Sequence, residues 1–203
     1  SFADSNASFT YDPVDRVLAS SADGVLTRWT FDARGNATTR SSAAGTTAWT
    51  WDGLGRLAAA TDASGTTTYA YDGAGNRLSR TDAGGTTRWL RDGTTVWATL
   101  DGGGNPTESH VWAGALLYSL DAAGAIRVYH ADERGSVVAV TDAAQDVVQS
   151  YSYDPYGRVV GSAGGLDNPF RFVGTHGVLT DANGLVQMQD RYYDPDARRF
   201  LSE

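Results

Sequence analysis

The 203-residue chain has no cysteine, no lysine, one methionine and three histidines. Without cysteine, neither a disulfide framework nor a thiolate metal site can form, and oxidation state has no bearing on the fold. Every basic residue is an arginine, 16 against 24 acids for a net charge of −8, and the arginines form no run. That balance excludes a nucleic-acid surface as the expected partner. No apolar stretch approaches the ~18–20 residues of a membrane-spanning helix, so no membrane span is expected, and no secretion signal opens the chain. The start at Ser1 and the abrupt stop after a charged, aromatic segment suggest a piece cut from a longer polypeptide.

Chemistry-bearing patterns are equally scarce. His110, His130 and His176 are not spaced as metal ligands, and H-A-D-E at 130–133 is not a zinc-protease motif, so neither a metal nor another cofactor is expected. Ser136, in R-G-S, lacks a nucleophile-elbow context. The G-S-A-G-G stretch at 161–165, with Pro169 beyond it, reads as a long hairpin loop, because no G-K-S/T follows to make a phosphate cradle. Thr175-His176-Gly177 reads as a loop. Only Glu108, Glu133 and Glu203 stand outside the aspartates, and nothing in the sequence pairs them as a glycosidase needs.

Aspartate and glycine are what the chain has in excess: 21 of the 24 acids are Asp, and there are 24 glycines. They keep time. Tyr11-Asp12, Phe31-Asp32, Trp51-Asp52 and Tyr71-Asp72 lie twenty residues apart, with Thr61-Asp62 and Thr81-Asp82 midway between beats. Asp-x-x-Gly tetrads begin at Asp32, Asp52, Asp62, Asp72, Asp82, Asp101, Asp121, Asp132, Asp154 and Asp181. Asp at the first turn position accepts backbone N–H bonds, and Gly at the fourth tolerates positive φ, so each tetrad is a tight turn between antiparallel strands. Between turns the segments alternate: Trp29 and Phe31, Trp49 and Trp51, Tyr69 and Tyr71 share one face. No window shows a helical period. The expected fold is all-β: consecutive antiparallel hairpins of twenty residues forming a curved β-ribbon. The acids turn a chain. Calcium-roll and propeller readings fail, on motif order and on repeat length respectively.

Beyond residue 104 the period loosens. Tyr129-His130, Gly135-Ser136, Thr141-Asp142 and Tyr153-Asp154-Pro155-Tyr156-Gly157 are followed by Pro169-Phe170-Arg171-Phe172, then by Arg191-Tyr192-Tyr193-Asp194-Pro195 running into Arg199-Phe200-Leu201-Ser202. These segments resemble the RHS/YD-repeat proteins over essentially the whole chain: residues 1–100 their YD-repeat hairpins, residues 101–203 their RHS-associated core, truncated before the cleavage motif. The resemblance implies a hollow shell around a toxin domain at the C-terminal end of the same polypeptide, secreted or at the cell surface. Partners would be that toxin domain, neighbouring shell repeats and secretion machinery. It also implies aspartyl-type self-cleavage just downstream, so the chain as given is not expected to be an enzyme. Asp194, Arg191 and Arg199, with Arg198, lie where such a site would draw support. Arg198 replaces the glycine of the usual D-P-x-x-G-R-F phrase, which loosens the turn argument there. The plainer reading has Asp194 capping its turn while the arginines pair with Asp190, Asp194 or Asp196.

A second reading treats the repeats as a glycan or cell-surface binding module, with Trp29, Trp49 and Trp89 exposed as the ligand-binding platform. Size argues that the piece does not enclose cargo alone. Eighteen to twenty strands about 4.8 Å apart make an edge of roughly 90 Å, which closes into a ring near 30 Å wide. That is too narrow for a folded 100-residue cargo, whose radius of gyration is about 13 Å. A curved wall, an end cap or a side-chain-filled barrel is expected.

Overall fold

A computed structural model of the chain describes residues 8–22, 24–93 and 95–202. It divides into two compact units, Ser1–Tyr69 with Leu201–Glu203, and Ala70–Phe200. The change in sequence character near residue 100 falls inside the second unit. Among the described residues the only helical element is a 3-10 turn at Gly174–His176, and everything else regular is strand. That turn replaces the loop expected at Thr175-His176-Gly177. It is bracketed by Val173 and Gly177, both left-handed (φ 54 and 84).

The first strands are β1 (Ser8–Tyr11), β2 (Val17–Ala22), β3 (Val25–Phe31), β4 (Ala37–Ser42), β5 (Gly45–Trp51), β6 (Leu57–Asp62) and β7 (Gly65–Tyr71). There follow β8 (Arg77–Asp82), β9 (Gly85–Asp92), β10 (Thr95–Leu100), β11 (Pro106–Trp112) and β12 (Leu116–Asp121). The long series ends with β13 (Ile126–Ala131), β14 (Val137–Thr141), β15 (Val147–Tyr153) and β16 (Val159–Gly164). These sixteen strands neighbour one another in sequence order, antiparallel throughout. A separate four-stranded sheet holds β17 (Leu179–Thr180), β18 (Val186–Met188), β19 (Arg191–Asp194) and β20 (Arg199–Phe200).

The aspartate clock drives two kinds of turn, not the single kind expected. At Asp32 the Gly35 N–H donates to the Asp32 carbonyl (3.1 Å), and the Asp32 N–H donates to the Asn36 carbonyl (2.9 Å). The Asp32 carboxylate accepts from the N–H groups of Arg34 and Asn36 (2.8 and 2.9 Å) and from the Asn36 amide (2.9 Å). Gly35 sits at φ 87, the left-handed conformation a side chain resists. The same backbone pair closes the turns at Asp12, Asp52, Asp72, Asp101, Asp121, Asp132, Asp142, Asp154 and Asp181. Midway, Ser42, Asp62 and Asp82 end their strands and pair directly with Gly45, Gly65 and Gly85 across two-residue loops. There the glycine lies within the next strand (φ 136, 130 and 113) instead of forming a left-handed bulge.

The G-S-A-G-G stretch is a correction to the sequence reading. Its first four residues belong to β16, paired with β15 from Tyr153↔Val159 to Gln149↔Gly164. Glycine serves close approach here: a Cβ at Gly161 would lie 2.6 Å from the Ser152 hydroxyl.

In the second unit, Phe170 is fully buried among Trp89, Val96, Leu116, Tyr129, Val137, Val140, Tyr151 and Leu179. His110, Trp112 and Tyr129 meet its ring edge-on, with centroids 4.9, 5.9 and 6.1 Å away. Asn168 holds both backbone groups of Phe170, accepting from its N–H (2.9 Å) and donating to its carbonyl (2.7 Å). Further bonds fasten this crossing segment: Val137 N–H to the Arg171 carbonyl (2.9 Å), Thr180 N–H to the Pro169 carbonyl (2.7 Å) and Thr175 N–H to the Gly135 carbonyl (3.1 Å). The glycines of R-G-S and D-P-Y-G are therefore demanded twice over. Gly135 and Gly157 are left-handed (φ 82 and 89), and a Cβ on either would lie 2.5 Å from His176 or Phe172.

Candidate functional site

Burial of an arginine marks the polar centre of the second unit. Arg77, the first residue of β8, is 0% exposed. Its guanidinium donates to Asp181 Oδ2 (2.7 Å) and to the Tyr192 hydroxyl (3.2 Å), and it lies 4.4 Å from the Trp89 ring centroid. Tyr71 donates to the Tyr192 hydroxyl (3.2 Å), and Arg80 reaches Asp181 Oδ1 (3.4 Å). Asp181 and Tyr192 are each 1% exposed. Burial pushes the Tyr192 phenol above its ordinary value, which keeps it a neutral hydrogen-bonding group. One aspartate thus departs from the rule of the repeat. The backbone of Asp181 closes a turn as expected, but its carboxylate points elsewhere, and Asn183 accepts the Leu185 N–H (3.2 Å) in that loop. An aspartate whose local partner is not called upon is free to meet a distant arginine. Nothing in the tetrad itself distinguishes Asp181, and no signal in the sequence announces Arg77 as buried.

The four-stranded sheet brings together part of the expected cleavage-support set. Asp194 on β19 and Arg199 on β20 are register partners, and Arg191 opens β19. Asp194 is buried and caps its turn, accepting from the N–H groups of Asp196 (2.9 Å) and Ala197 (3.2 Å). Arg191 lies over the Phe200 ring (3.9 Å) and Arg198 over the Tyr156 ring (4.4 Å). Arg198 takes φ 59, so the backbone there keeps the left-handed conformation that a glycine would favour.

The tryptophans expected on an exposed face are buried instead: Trp29 at 7%, Trp49 at 3% and Trp89 at 4% exposed. The cause is period two. These indoles lie on the strand face that packs inward, beside Leu57 and Ala60 in the first unit and Phe170 in the second. Arginines add cover, Arg40 lying 6.0 Å from the Trp49 ring and Arg77 over Trp89. No exposed aromatic platform is made by these three.

The second aromatic of each pair, the one preceding the turn, has a role that the sequence reading missed. Trp51 Nε1 donates to the Ala37 carbonyl (2.7 Å), Trp112 Nε1 to Val96 (2.8 Å) and the Tyr153 hydroxyl to Val137 (2.7 Å). Each acceptor stands beside a register shift in the preceding strand, where the ladder is interrupted. At Trp51-Asp52 and Tyr153-Asp154 the aromatic-Asp dipeptide therefore does two jobs: the aromatic tip satisfies a carbonyl, and the acid closes the turn.

A polar cleft of about 540 Å³ is bordered by Arg80, Trp89, Glu108, Asp121, Arg127 and Arg171. Glu108 accepts from the Ser119 hydroxyl (2.5 Å) and from Arg127 (3.1 Å). Nearby, His110 Nε2 bonds the Thr99 hydroxyl (2.9 Å), and burial lowers the His110 pKa to about 4, so its ring is neutral. His130 bonds the Thr141 hydroxyl (2.9 Å) near the end of β13, as a strand-end residue would. Among the described residues no group of three or more His, Asp or Glu is placed to hold a metal ion. Nor is any helix among them long and apolar enough to cross a membrane. Glu203 lies outside the described residues.

Comparison with known proteins accords with this architecture. Solved structures of TcdB2-TccC3 with Cdc42, and of TcdB2-TccC3 without its hypervariable C-terminal region, match 97% of the chain with TM-scores of 0.59 and 0.57. Sequence identity is 17% in both and the chain spans 14% of each, so the likeness is one of fold. Double-stranded DNA deaminase toxin A of Burkholderia cenocepacia (strain H111) is 32% identical over 96 residues, 45% of this chain and 7% of that protein. The tRNA(Glu)-specific nuclease WapA of Bacillus subtilis subsp. natto (strain BEST195) is 32% identical over 77 residues, 36% of this chain and 3% of that protein. The chain thus spans a small fraction of these proteins. The Teneurin YD-shell family matches residues 1–203, and the chain belongs to that family.

Proposed function

We propose that this chain is part of the wall of a protein shell that encloses a toxic domain carried by the same polypeptide and keeps it from acting until delivery. The observation that carries the reading is a whole-chain match to the YD-shell family by strands that follow one another in sequence order. The relatives agree with it: one is named a deaminase toxin and the other a nuclease, and the matched segments are 7% and 3% of those proteins. The chain itself does packing. Its inward rows of Trp29, Trp49, Tyr69 and Trp89 and the crossing segment around Phe170 supply rigidity, and the neighbouring repeats of the longer polypeptide complete the wall. Export from the producing cell belongs to the same reading.

Self-cleavage downstream of the chain is the finer part. Asp194 and Arg199 are register partners in a small sheet and Arg191 opens the same strand as Asp194, which supports reading the three as one cleavage-support set. In this role Asp194 orders the turn before the scissile region, and the arginines steady charge that develops next to it.

The test uses the full-length natural polypeptide, purified natively and weighed by native and by denaturing mass spectrometry. A C-terminal piece that stays bound natively and separates on denaturation is the expected result, and Asp194→Asn should slow its appearance. A polypeptide with no enclosed piece under either condition overturns the enclosure. An uncut cargo that is nevertheless resistant to added protease overturns only the cleavage.

A further inference from the structure

One cavity in the second unit has the wrong charge balance to be an ordinary crevice. It measures about 480 Å³, and Arg91, Arg191, His176, Asp190, Gln189 and Phe200 border it. Arg91 projects from β9 and makes one long bond, Nη1 to Gln187 Oε1 (3.4 Å), while its Nε is buried with no acceptor. No carboxylate pairs with it. Arg191 likewise has no ion pair among the described residues; its guanidinium carbon lies over the Phe200 ring, 3.9 Å from the centroid. Asp190, the only acid bordering the space, is exposed and pairs with neither arginine.

Buried guanidinium groups are normally matched by carboxylates, because an unmatched one loses its water and gains nothing. Three others here follow that rule: Arg77 and Arg80 meet Asp181, and Arg127 meets Glu108. Burial, and then the charge of Arg77, push the Arg91 pKa down by more than Tyr192 and Asp72 raise it. A fork of N–H donors facing a cavity suits a planar or tetrahedral oxyanion, which can take two parallel hydrogen bonds from one guanidinium.

We propose that this cavity is an oxyanion-binding site, in which Arg91 and Arg191 together hold the carboxylate or phosphate group of a ligand. Arg91, half-buried with its Nε covered, is the fixed part of the site and Arg191 the accessible part. Gln187 orients Arg91 through its side-chain oxygen, and Gln187 is itself fixed by its bond to the Gln189 carbonyl (3.0 Å). The site goes beyond the enclosure reading and does not depend on it.

The test measures the thermal midpoint of the full chain in sodium chloride, sodium acetate and sodium phosphate at one ionic strength and one pH. Acetate reports a carboxylate ligand and phosphate a phosphoryl ligand. Binding to the folded state should raise the midpoint over chloride by about 2–4 °C in whichever anion fits. Arg91→Gln and Arg191→Gln should each abolish that gain. In chloride, Arg91→Gln should melt no lower than the parent, because it removes a half-buried charge that no carboxylate pairs with. A purely structural Arg91 would instead lower the midpoint equally in all three salts. No gain over chloride in either anion overturns the proposal, and so does a gain that survives both substitutions. Should Arg91→Gln fail to fold, Arg191→Gln on the accessible rim decides alone.

Discussion

The two units are written in the same turns but hold themselves together differently. In the first, residues up to Tyr69 make regular hairpins whose inward row is Val17, Trp29, Ala37, Trp49, Leu57 and Tyr69, with Leu201 beside them. The Ala37 N–H donates to the Leu201 carbonyl (2.7 Å). In the second, the same inward row is met by a segment returning from far along the chain, with Phe170 at its centre and an ion pair, Arg77 with Asp181, 104 residues apart in sequence. The lesson is that a hairpin repeat supplies only half of an interior. Whatever crosses the inward face decides how much apolar surface is lost to water and how strongly the unit is held.

The largest effect that would break this contrast is removal of Phe170. Phe170→Ala should cost the second unit about 4 kcal/mol through lost burial and an unfilled cavity. The first unit's hydrogen-exchange protection should be unchanged. Loss of protection in both units together would mean that they are not independent in stability.

Next comes the buried ion pair. Arg77→Met leaves Asp181 charged, buried and short of its main partner, at a cost of roughly 3 kcal/mol. The double variant Arg77→Met, Asp181→Leu should recover much of that in urea denaturation. A double variant as unstable as the single one would show that the pair is needed for more than mutual neutralisation.

His110 sharpens the contrast by pH, because the first unit contains no histidine. Its folded pKa of about 4 lies below the ordinary 6.5, so only the unfolded chain takes up a proton between those values. Stability of the second unit should therefore be full above pH 6.5, fall between pH 6.5 and 4 by on the order of 3 kcal/mol, and level off below. His110→Phe should flatten that segment of the urea-midpoint profile while leaving the carboxylate-driven loss at lower pH. In those turns the partners of the acid, led by the side-chain amide of Asn76 for Asp72 and of Asn105 for Asp101, hold the carboxyls below their usual value. The stability they confer is therefore lost only under stronger acid.

The smallest effect compares equivalent aromatics. Trp51→Phe in the first unit removes the bond to the Ala37 carbonyl and should cost about 1 kcal/mol. Trp112→Phe in the second unit loses the equivalent bond to Val96 and also the indole's edge contact with Phe170, so it should cost more. Equal costs measured by chemical denaturation would argue that the crossing segment adds nothing at that position.

Much of the architecture is written in the chain itself, for a local reason. Turn acids and glycines act within four residues, and alternation within one strand, so the succession of hairpins, the long turns at Asp12 to Asp154 and the shared faces of Trp29 with Phe31 or Trp49 with Trp51 follow from short-range chemistry. The replaced glycine at Arg198 could be located the same way, and the structure holds it left-handed all the same. Even so, the alternation between bulged and two-residue turns was hidden, because the two-residue turns at Asp62 and Asp82 share the Asp-x-x-Gly spelling of the bulged ones and differ in how the flanking strands pair.

What only the tertiary structure decided concerns partners remote in sequence. Period two says that Trp29, Trp49 and Trp89 share a face with their neighbours, but not which face is covered, and they turn out to be buried. A turn aspartate looks the same whether its carboxylate caps the loop or, like Asp181, reaches an arginine 104 residues earlier. Arg91 and Arg191 share a cavity although 100 residues separate them. Local rules shape the ribbon because their energies are spent within a turn. The choice of inward face, of buried charge and of unmatched arginine depends on which distant segments fold back, and that is settled by packing.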